Sequence, residues 1–249
     1  MKKLLTRICL ITMIALPSLA SVAQADDVPA TLRVAIDPTF PPMEFTSDGQ
    51  LQGFDVDLFN AIAERMGSQV EWINTEFKGL VPSLIAKRAD VVASAIYITE
   101  DRAKVVDFSD AYFNSGLVIV KKKGDETIQG PKDLDGKRVA LQTGTKSVQF
   151  MTDNFPDVTR VEVEKNNQMF DMVIAGRADA VVTGKPFARF YATKRGNMSV
   201  LNEQLTTEPY GYAVRKDLPA VTTAINEALD ALKADGTYQK ITEKWFGAE

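Results

Sequence analysis

The sequence has no histidine and a single cysteine, Cys9. The first absence excludes Ser-His-Asp and Cys-His nucleophilic machinery and histidine-ligated zinc. Any catalysis would rest on carboxylates, lysine or tyrosine. The second excludes an internal disulfide. Long apolar runs are also scarce. The one of note, ICLITMIALPSLAS, has 14 residues, short of the ~20 that span a bilayer, and Pro17 interrupts it. With Lys2, Lys3 and Arg7 ahead of it and Ala23-Gln24-Ala25 behind it, the segment reads as a secretory leader over residues 1–25, cleaved after Ala25. Cleavage would remove three cations, no acid, and Cys9. The remainder keeps 26 of the 29 basic residues against 33 acids, a net charge of −7, which argues against nucleic-acid binding. The expected destination is the periplasm, or secretion.

What is present is an alternation. TLRVAI (31–36) is a short β-rich run, followed by the proline-broken loop DPTFPPMEF. GFDVDLFNAIAERMG (53–67) places apolar residues three and four apart and closes on Gly67, which predicts a helix. QVEWIN alternates as a strand, GLVPSLIAKRA is a helix with Pro82 in its first turn, DVVASAI is an apolar strand, and TEDRAKVV is one or two helical turns. A second cycle follows. GLVIVKKK, KRVALQTG, RVEVEK and DAVVTG are strands, with helices over 146–154, NQMFDMVIAGRA and KPFARFYATKRG. TTEPYGYAVRK (206–216) is extended and breaks the rhythm before two closing helices. Such alternation implies α/β architecture with largely parallel sheets. AKRADVVASA (86–95) and AGRADAVVTG (175–184) both run helix end, Arg-Ala-Asp, apolar strand, small polar turn. Two α/β lobes would then each present a strand's carboxyl end outward, where open α/β sheets bind ligands.

Arg102 stands on a short polar turn leading into VVDFSDAYF. It either pairs at the surface with Glu100, Asp101 or Asp107, or grips an anionic ligand with its two-pronged guanidinium. Thr99 is placed to cap the same turn, leaving backbone N–H groups near that anion. Ser94 and Ala95 are small enough to let a ligand approach the backbone. Phe40 and Phe77 lie in loops after strands and are either flat walls for a ligand or core plugs. GTKS (144–147) lacks the upstream glycine of a phosphate-binding loop.

The motifs FPPMEF, GFDVDLFNAIAERMG, ITEDRAKVVDFSDAYF, DLDGKRVALQTGT, RADAVV and LKADGTYQKITEKWFG occur in this order. Together they resemble the periplasmic polar-amino-acid binding proteins. These are the family 3 solute receptors of ABC importers, similar to glutamine- and lysine/arginine/ornithine-binding proteins. The resemblance implies a two-lobed type II periplasmic binding fold, each lobe a mostly parallel sheet flanked by helices. Lobe 1 would be 26–113 and 213–249, and lobe 2 117–208, joined by hinge strands near 114–116 and 209–212. It implies a monomer without enzymatic activity, cofactor or metal, which closes on a small carboxylate, an amino acid, and delivers it to an inner-membrane ABC permease.

Residue by residue, the resemblance gives Arg102 the ligand's α-carboxylate, Phe40 and Phe77 the aromatic walls, and Asp37 the reading of the side chain. Ser94, with Ala95, matches a backbone and hydroxyl contact. Gln142, Thr145 and Lys146 match the loop and helix start that close onto the carboxylate side, and Thr183, Gly184 and Lys185 the turn near the α-ammonium. Two positions depart from the family pattern. Tyr97 stands where a Thr or Ser is usual, and Gly184 where an aspartate normally pairs with the ammonium. A buried ammonium without counter-charge costs several kcal/mol in order of magnitude. Either Asp37 or Glu76 substitutes, or the ligand lacks a free α-ammonium. Lys146 and Lys185 point into solvent, or else they face a ligand richer in negative charge, such as an organic acid or an N-substituted amino acid. A dehydratase-like enzyme on the same cleft would instead need a cleft-facing acid with a raised pKa, Glu76 or Asp37.

Overall fold

The computed structural model describes residues 28–247; the leader expected over residues 1–25 lies outside them. The first lobe opens with β1 (Thr31–Ile36), which buries Leu32, Val34, Ala35 and Ile36. The proline-broken loop after it folds into a small meander of β2 (Thr39–Phe40), β3 (Glu44–Ser47) and β4 (Gln50–Gln52). α1 (Phe54–Met66) buries Phe54, Leu58, Phe59 and Ile62. It stops where Gly67 turns left-handed (φ 70°), its N–H directed at the carbonyls of Ala63 and Glu64. β5 (Gln69–Asn74), α2 (Leu80–Ile85), β6 (Val91–Val92), α3 (Glu100–Ala103) and β7 (Asp107–Phe108) follow.

β8 (Phe113–Ser115) crosses to the second lobe. That lobe comprises β9 (Leu117–Lys122), β10 (Arg138–Gln142), α4 (Lys146–Asn154), β11 (Thr159–Val163), α5 (Asn166–Ile174), β12 (Ala180–Gly184), α6 (Lys185–Arg195) and β13 (Met198–Gln204). β14 (Glu208–Tyr210) returns beside β8 as its antiparallel partner. β15 (Ala213–Val214) rejoins the first sheet, and α7 (Pro219–Ala234) and α8 (Thr237–Phe246) pack on α1. Among the described residues no helix is long and apolar enough to cross a membrane.

The two sheets share one plan, β5-β1-β6-β15-β7 and β11-β10-β12-β9-β13. In each, three parallel strands are followed by one antiparallel strand and then by a fifth that runs in the direction of the first three. The antiparallel strand is the one that has just crossed from the other lobe, β9 or β15, so it enters from the opposite end. The Arg-Ala-Asp echo is a shared clamp. Asp90 accepts from the backbone N–H of Arg33 at 2.9 Å and from its Nε and Nη2 at 3.0 and 2.8 Å. Asp179 accepts from the same three groups of Arg138 at 2.8, 3.2 and 2.7 Å. A carboxylate ahead of each lobe's third parallel strand thus fixes the first strand through charge-assisted bonds.

Beneath the crossing strands, Tyr112 and Tyr212 stack at 4.3 Å and 11°. The Tyr112 hydroxyl donates to Asp55 Oδ2 at 2.7 Å. This buried aromatic layer, with Tyr210 against Tyr97 at 4.5 Å between ring centres, underlies the floor of the space between the lobes.

Candidate functional site

The carboxyl ends of β1, β6, β10 and β12 converge on a nearly closed cleft with a cavity of about 30 Å³. Phe40, Phe77, Ser94, Ala95 and Tyr97 line it from the first lobe, and Gln142, Thr145, Lys146, Thr183 and Gly184 from the second. Of the other expected residues, Asp37 and Arg102 border the cleft without lining it, and Lys185 faces elsewhere. Glu44, Leu117, Ser147, Asn166 and Tyr210 complete the lining. The lobes are closed on one another. Gln142 Nε2 donates to Asp37 Oδ2 at 2.6 Å, Asn166 Nδ2 to Thr39 Oγ1 at 2.9 Å, and Lys78 Nζ to Glu164 Oε1 at 2.6 Å. Gly144, at φ 79°, brings the turn before α4 so near the first lobe that a Cβ there would meet Lys78 Cα at 2.9 Å.

Arg102 is half-buried at the rim. Thr99 caps α3 as expected, its hydroxyl accepting from the Arg102 N–H at 3.3 Å. The guanidinium lies 5.7 Å from the centre of the Phe77 ring. It donates to the Tyr97 carbonyl at 2.9 Å and, across the cleft, to the Gly144 carbonyl at 3.3 Å. Glu100, Asp101 and Asp107 do not pair with it; Asp101 is bound instead by Lys104. Among the described residues no carboxylate lies within ion-pair distance of this guanidinium. Desolvation pulls its pKa down to about 10, with only the field of Glu208 opposing. A cation in this state favours an incoming anion. The start of α4 adds backbone donors at the same place, since Thr145, Lys146 and Ser147 all line the cleft.

The first lobe also holds buried acids. Asp37 accepts from Gln142 and, at 3.0 Å, from the Thr39 hydroxyl, while its own N–H donates to Ser94 Oγ at 3.0 Å. Burial pushes its pKa up to about 6 against the opposing pull of these bonds, which favours the neutral acid by about 3 kcal/mol more than water does. Glu44 is fully buried. Its Oε1 accepts from Ser94 Oγ at 3.0 Å, and its Oε2 has no partner. Burial, then the neighbouring Asp55, raises its pKa well above the usual range. Asp55, raised to about 7 by burial, accepts from the Ala95 N–H at 2.6 Å. Ala95 itself sits at φ 42°, a left-handed conformation rare for a residue with a side chain and worth roughly 1 kcal/mol of strain. Glu76, named as a possible substitute counter-charge, is instead exposed beside Lys78 and does not line the cleft.

The departures at 97 and 184 lie near one another, with Tyr210 and Phe40 closest to Gly184. A Cβ at Gly184 would meet Tyr210 Oη at 2.7 Å, Phe40 Cζ at 2.8 Å and Tyr97 Oη at 3.6 Å. Large residues on one side occupy what a side chain at 184 would need. The wall rich in positive charge does not form. Lys146 Nζ lies 3.3 Å from Glu208 Oε1 on the hinge strand, which offsets its charge. Lys185 turns away to donate to Gln204 Oε1 at 3.1 Å and lines a separate groove, because the first residue of α6 projects from the far side of β12's end. Sequence reasoning missed Glu44, Asn166, Glu208 and Tyr210. The signal for Glu44 is a lone acid between Met43 and Phe45 in a strand, and for Tyr210 a ring in the rhythm-breaking segment.

The model for bacterial extracellular solute-binding proteins, family 3, matches residues 32–248. An L-arginine-binding protein of Pseudomonas aeruginosa is 34% identical over 252 residues, covering 96% of each chain. Among solved structures, an ancestral arginine-binding protein bound to glutamine superposes with a TM-score of 0.85 at 42% identity, covering 89% of this chain and all of that one. An ancestral amino-acid-binding protein, described as a precursor of cyclohexadienyl dehydratase, gives 0.82 at 39% identity over 87% of this chain and 96% of that one.

Proposed function

The chain belongs to the bacterial extracellular solute-binding proteins of family 3, and on that premise we propose that it captures an amino acid with a cationic side chain between its lobes. The complex is delivered to an inner-membrane ABC permease from the periplasm, and the protein acts as a monomer. The lobes are 26–113 with 213–249, and 117–208. Their hinges are β8 and β14, close to the expected 114–116 and 209–212.

The reading rests on one observation: among the described residues, a guanidinium at the rim has no carboxylate partner and a buried carboxylate oxygen in the wall has no hydrogen-bond partner. An amino acid supplies both missing groups. Its α-carboxylate takes Arg102 and the N–H groups at the start of α4. Its cationic group faces Glu44, with Asp37 beside it. Phe40 and Phe77 flank the chain between, and Ser94 and Thr183 offer hydroxyls. Closure excludes water and strengthens each charged contact, and the ligand shifts the open–closed balance by its preference for the closed form.

Purely anionic ligands fit this site poorly, since Lys146 is already paired and Lys185 faces away. Glu44 also meets the condition for an acid-catalysed elimination, and a relative of this chain is described as a dehydratase precursor. Product analysis after incubation with 2-hydroxy acids and cyclohexadienyl acids separates the two readings. A thermal-shift panel followed by calorimetry tests the main one. L-arginine, L-lysine, L-ornithine and L-histidine should raise the melting temperature, while L-glutamate and dicarboxylates leave it unchanged. The reverse ranking would overturn it.

A further inference from the structure

A groove of about 990 Å³ lies apart from the cleft and shares no lining residue with it. Its walls come from α6 of the second lobe, from the hinge at Phe113–Ser115 and Thr207, and from the end of α8 in the first lobe. Its chemistry is one-sided. Lys185, Arg189 and Lys194 all line it, and among its described lining residues there is no carboxylate. This is a marked departure in a chain whose acids outnumber its bases. None of the three cations has a carboxylate partner among the described residues. Lys185 bonds to an amide oxygen, and Lys194 lies 5.6 Å from the centre of the Phe190 ring.

The rest of the groove is aromatic. Phe190 packs 6.3 Å from Phe45, which meets Trp245 edge-on at 5.9 Å, so a row of rings runs from one lobe to the other. Phe246 beside them is 37% exposed, among the more exposed large apolar side chains of the described residues. Flat apolar walls combined with unpaired cations match a ligand with a flat apolar body and an acidic head. The volume is in the range that holds a small organic molecule.

We propose that this groove is a second ligand site, taking a small aromatic anion such as an aryl carboxylate or sulfonate. The acidic group sits among Lys185, Arg189 and Lys194, and the ring lies against Phe190, Trp245 and Phe246. The cleft of the amino-acid site is not involved, because Lys185 is turned out of it.

The test uses 8-anilinonaphthalene-1-sulfonate as probe on the full protein. Of the two tryptophans, Trp72 and Trp245, only Trp245 lines the groove. Titration should give saturable energy transfer from tryptophan to the probe at one site per chain. Arg189→Glu with Lys194→Glu should weaken probe binding at least tenfold, and the milder Arg189→Gln with Lys194→Gln should weaken it in the same direction. Both pairs are exposed, so an unchanged melting profile verifies folding. Trp245→Phe should remove most of the transfer while probe anisotropy still reports binding. Arg102→Ala, although it weakens the amino acid in the cleft, should leave probe binding in the groove unchanged. Absence of saturable binding, equal binding to the charge-reversed variant, or loss of binding in Arg102→Ala would each overturn the proposal.

Discussion

The two lobes are built on one frame and carry opposite chemistry. In both, an aspartate ahead of the third parallel strand clamps an arginine of the first, and in both that third strand ends in a small polar turn, Ser94-Ala95 or Thr183-Gly184. The first lobe adds three buried carboxyls, Asp37, Glu44 and Asp55, all with raised pKa values, together with the rim cation Arg102. The acids of the second lobe with a resolved shift, Asp125 and Asp179, are held low by hydrogen bonds. Its cleft groups are amides, hydroxyls and a lysine already paired with Glu208. The difference teaches a division of labour. On the proposed reading, the first lobe holds a cation without a carboxylate partner and buried acids biased toward the neutral form, and the second closes over them with neutral donors and a helix start.

The comparison can be broken most decisively at its cations. Arg102→Ala should weaken binding of L-arginine by at least ~2 kcal/mol, about 30-fold. Lys146→Ala should cost less than fivefold, because its charge is spent on Glu208. Equal losses measured by calorimetry would erase the asymmetry. Next in size, Glu44→Gln should weaken L-arginine about tenfold while sparing L-glutamine, and a uniform loss for both would remove Glu44 as the reader of positive charge. Gly184→Asp should lower stability by ~1–3 kcal/mol through collision with Tyr210 and Phe40 without improving affinity. Adding Tyr97→Ser should recover part of that loss in the melting temperature; no recovery would mean that Tyr97 does not help to crowd position 184.

The smallest effect concerns pH. A carboxyl raised in the folded state contributes stability that is fully present below its unfolded pKa and is lost as pH rises through its folded value. Asp37 at about 6 and Asp55 at about 7, each from 3.8, place that loss between about pH 4 and pH 7. The ligand-free melting temperature should therefore fall across this window, by at least several degrees. Asp55→Asn should flatten the fall, and a substitution at Asp179 in the other lobe should not. A profile that rises with pH would contradict the assignment.

Much of this frame was legible in the chain. α4 and α6 follow from apolar spacing, the helix over 53–67 closes on Gly67, and the broken rhythm of TTEPYGYAV marks the return through β14 to the first lobe. The strands of the β2–β4 meander escaped notice because they are two to four residues long and studded with breakers. The candidate site was legible where a residue type suggests its own chemistry, as with Phe40 and Phe77, which line the cleft, and Arg102, which borders it. It was not legible where burial decides. Glu44 reads as a surface acid until Ser94 and Asp55 are seen around it. Lys185 reads as a cleft cation until the start of α6 turns it outward, and the crowding of Gly184 by Tyr210 and Phe40 requires knowing that they meet.

The central claim is a clamp with Arg102 on a carboxylate and Glu44 on a cation, and calorimetry with L-arginine and its decarboxylated counterpart, agmatine, tests it most directly. The account predicts that the wild-type protein binds L-arginine at least 30-fold more tightly than agmatine, and that Arg102→Ala collapses this difference to a few-fold. Equal affinity of the two compounds for the wild-type protein, or a preference that survives Arg102→Ala, would contradict it.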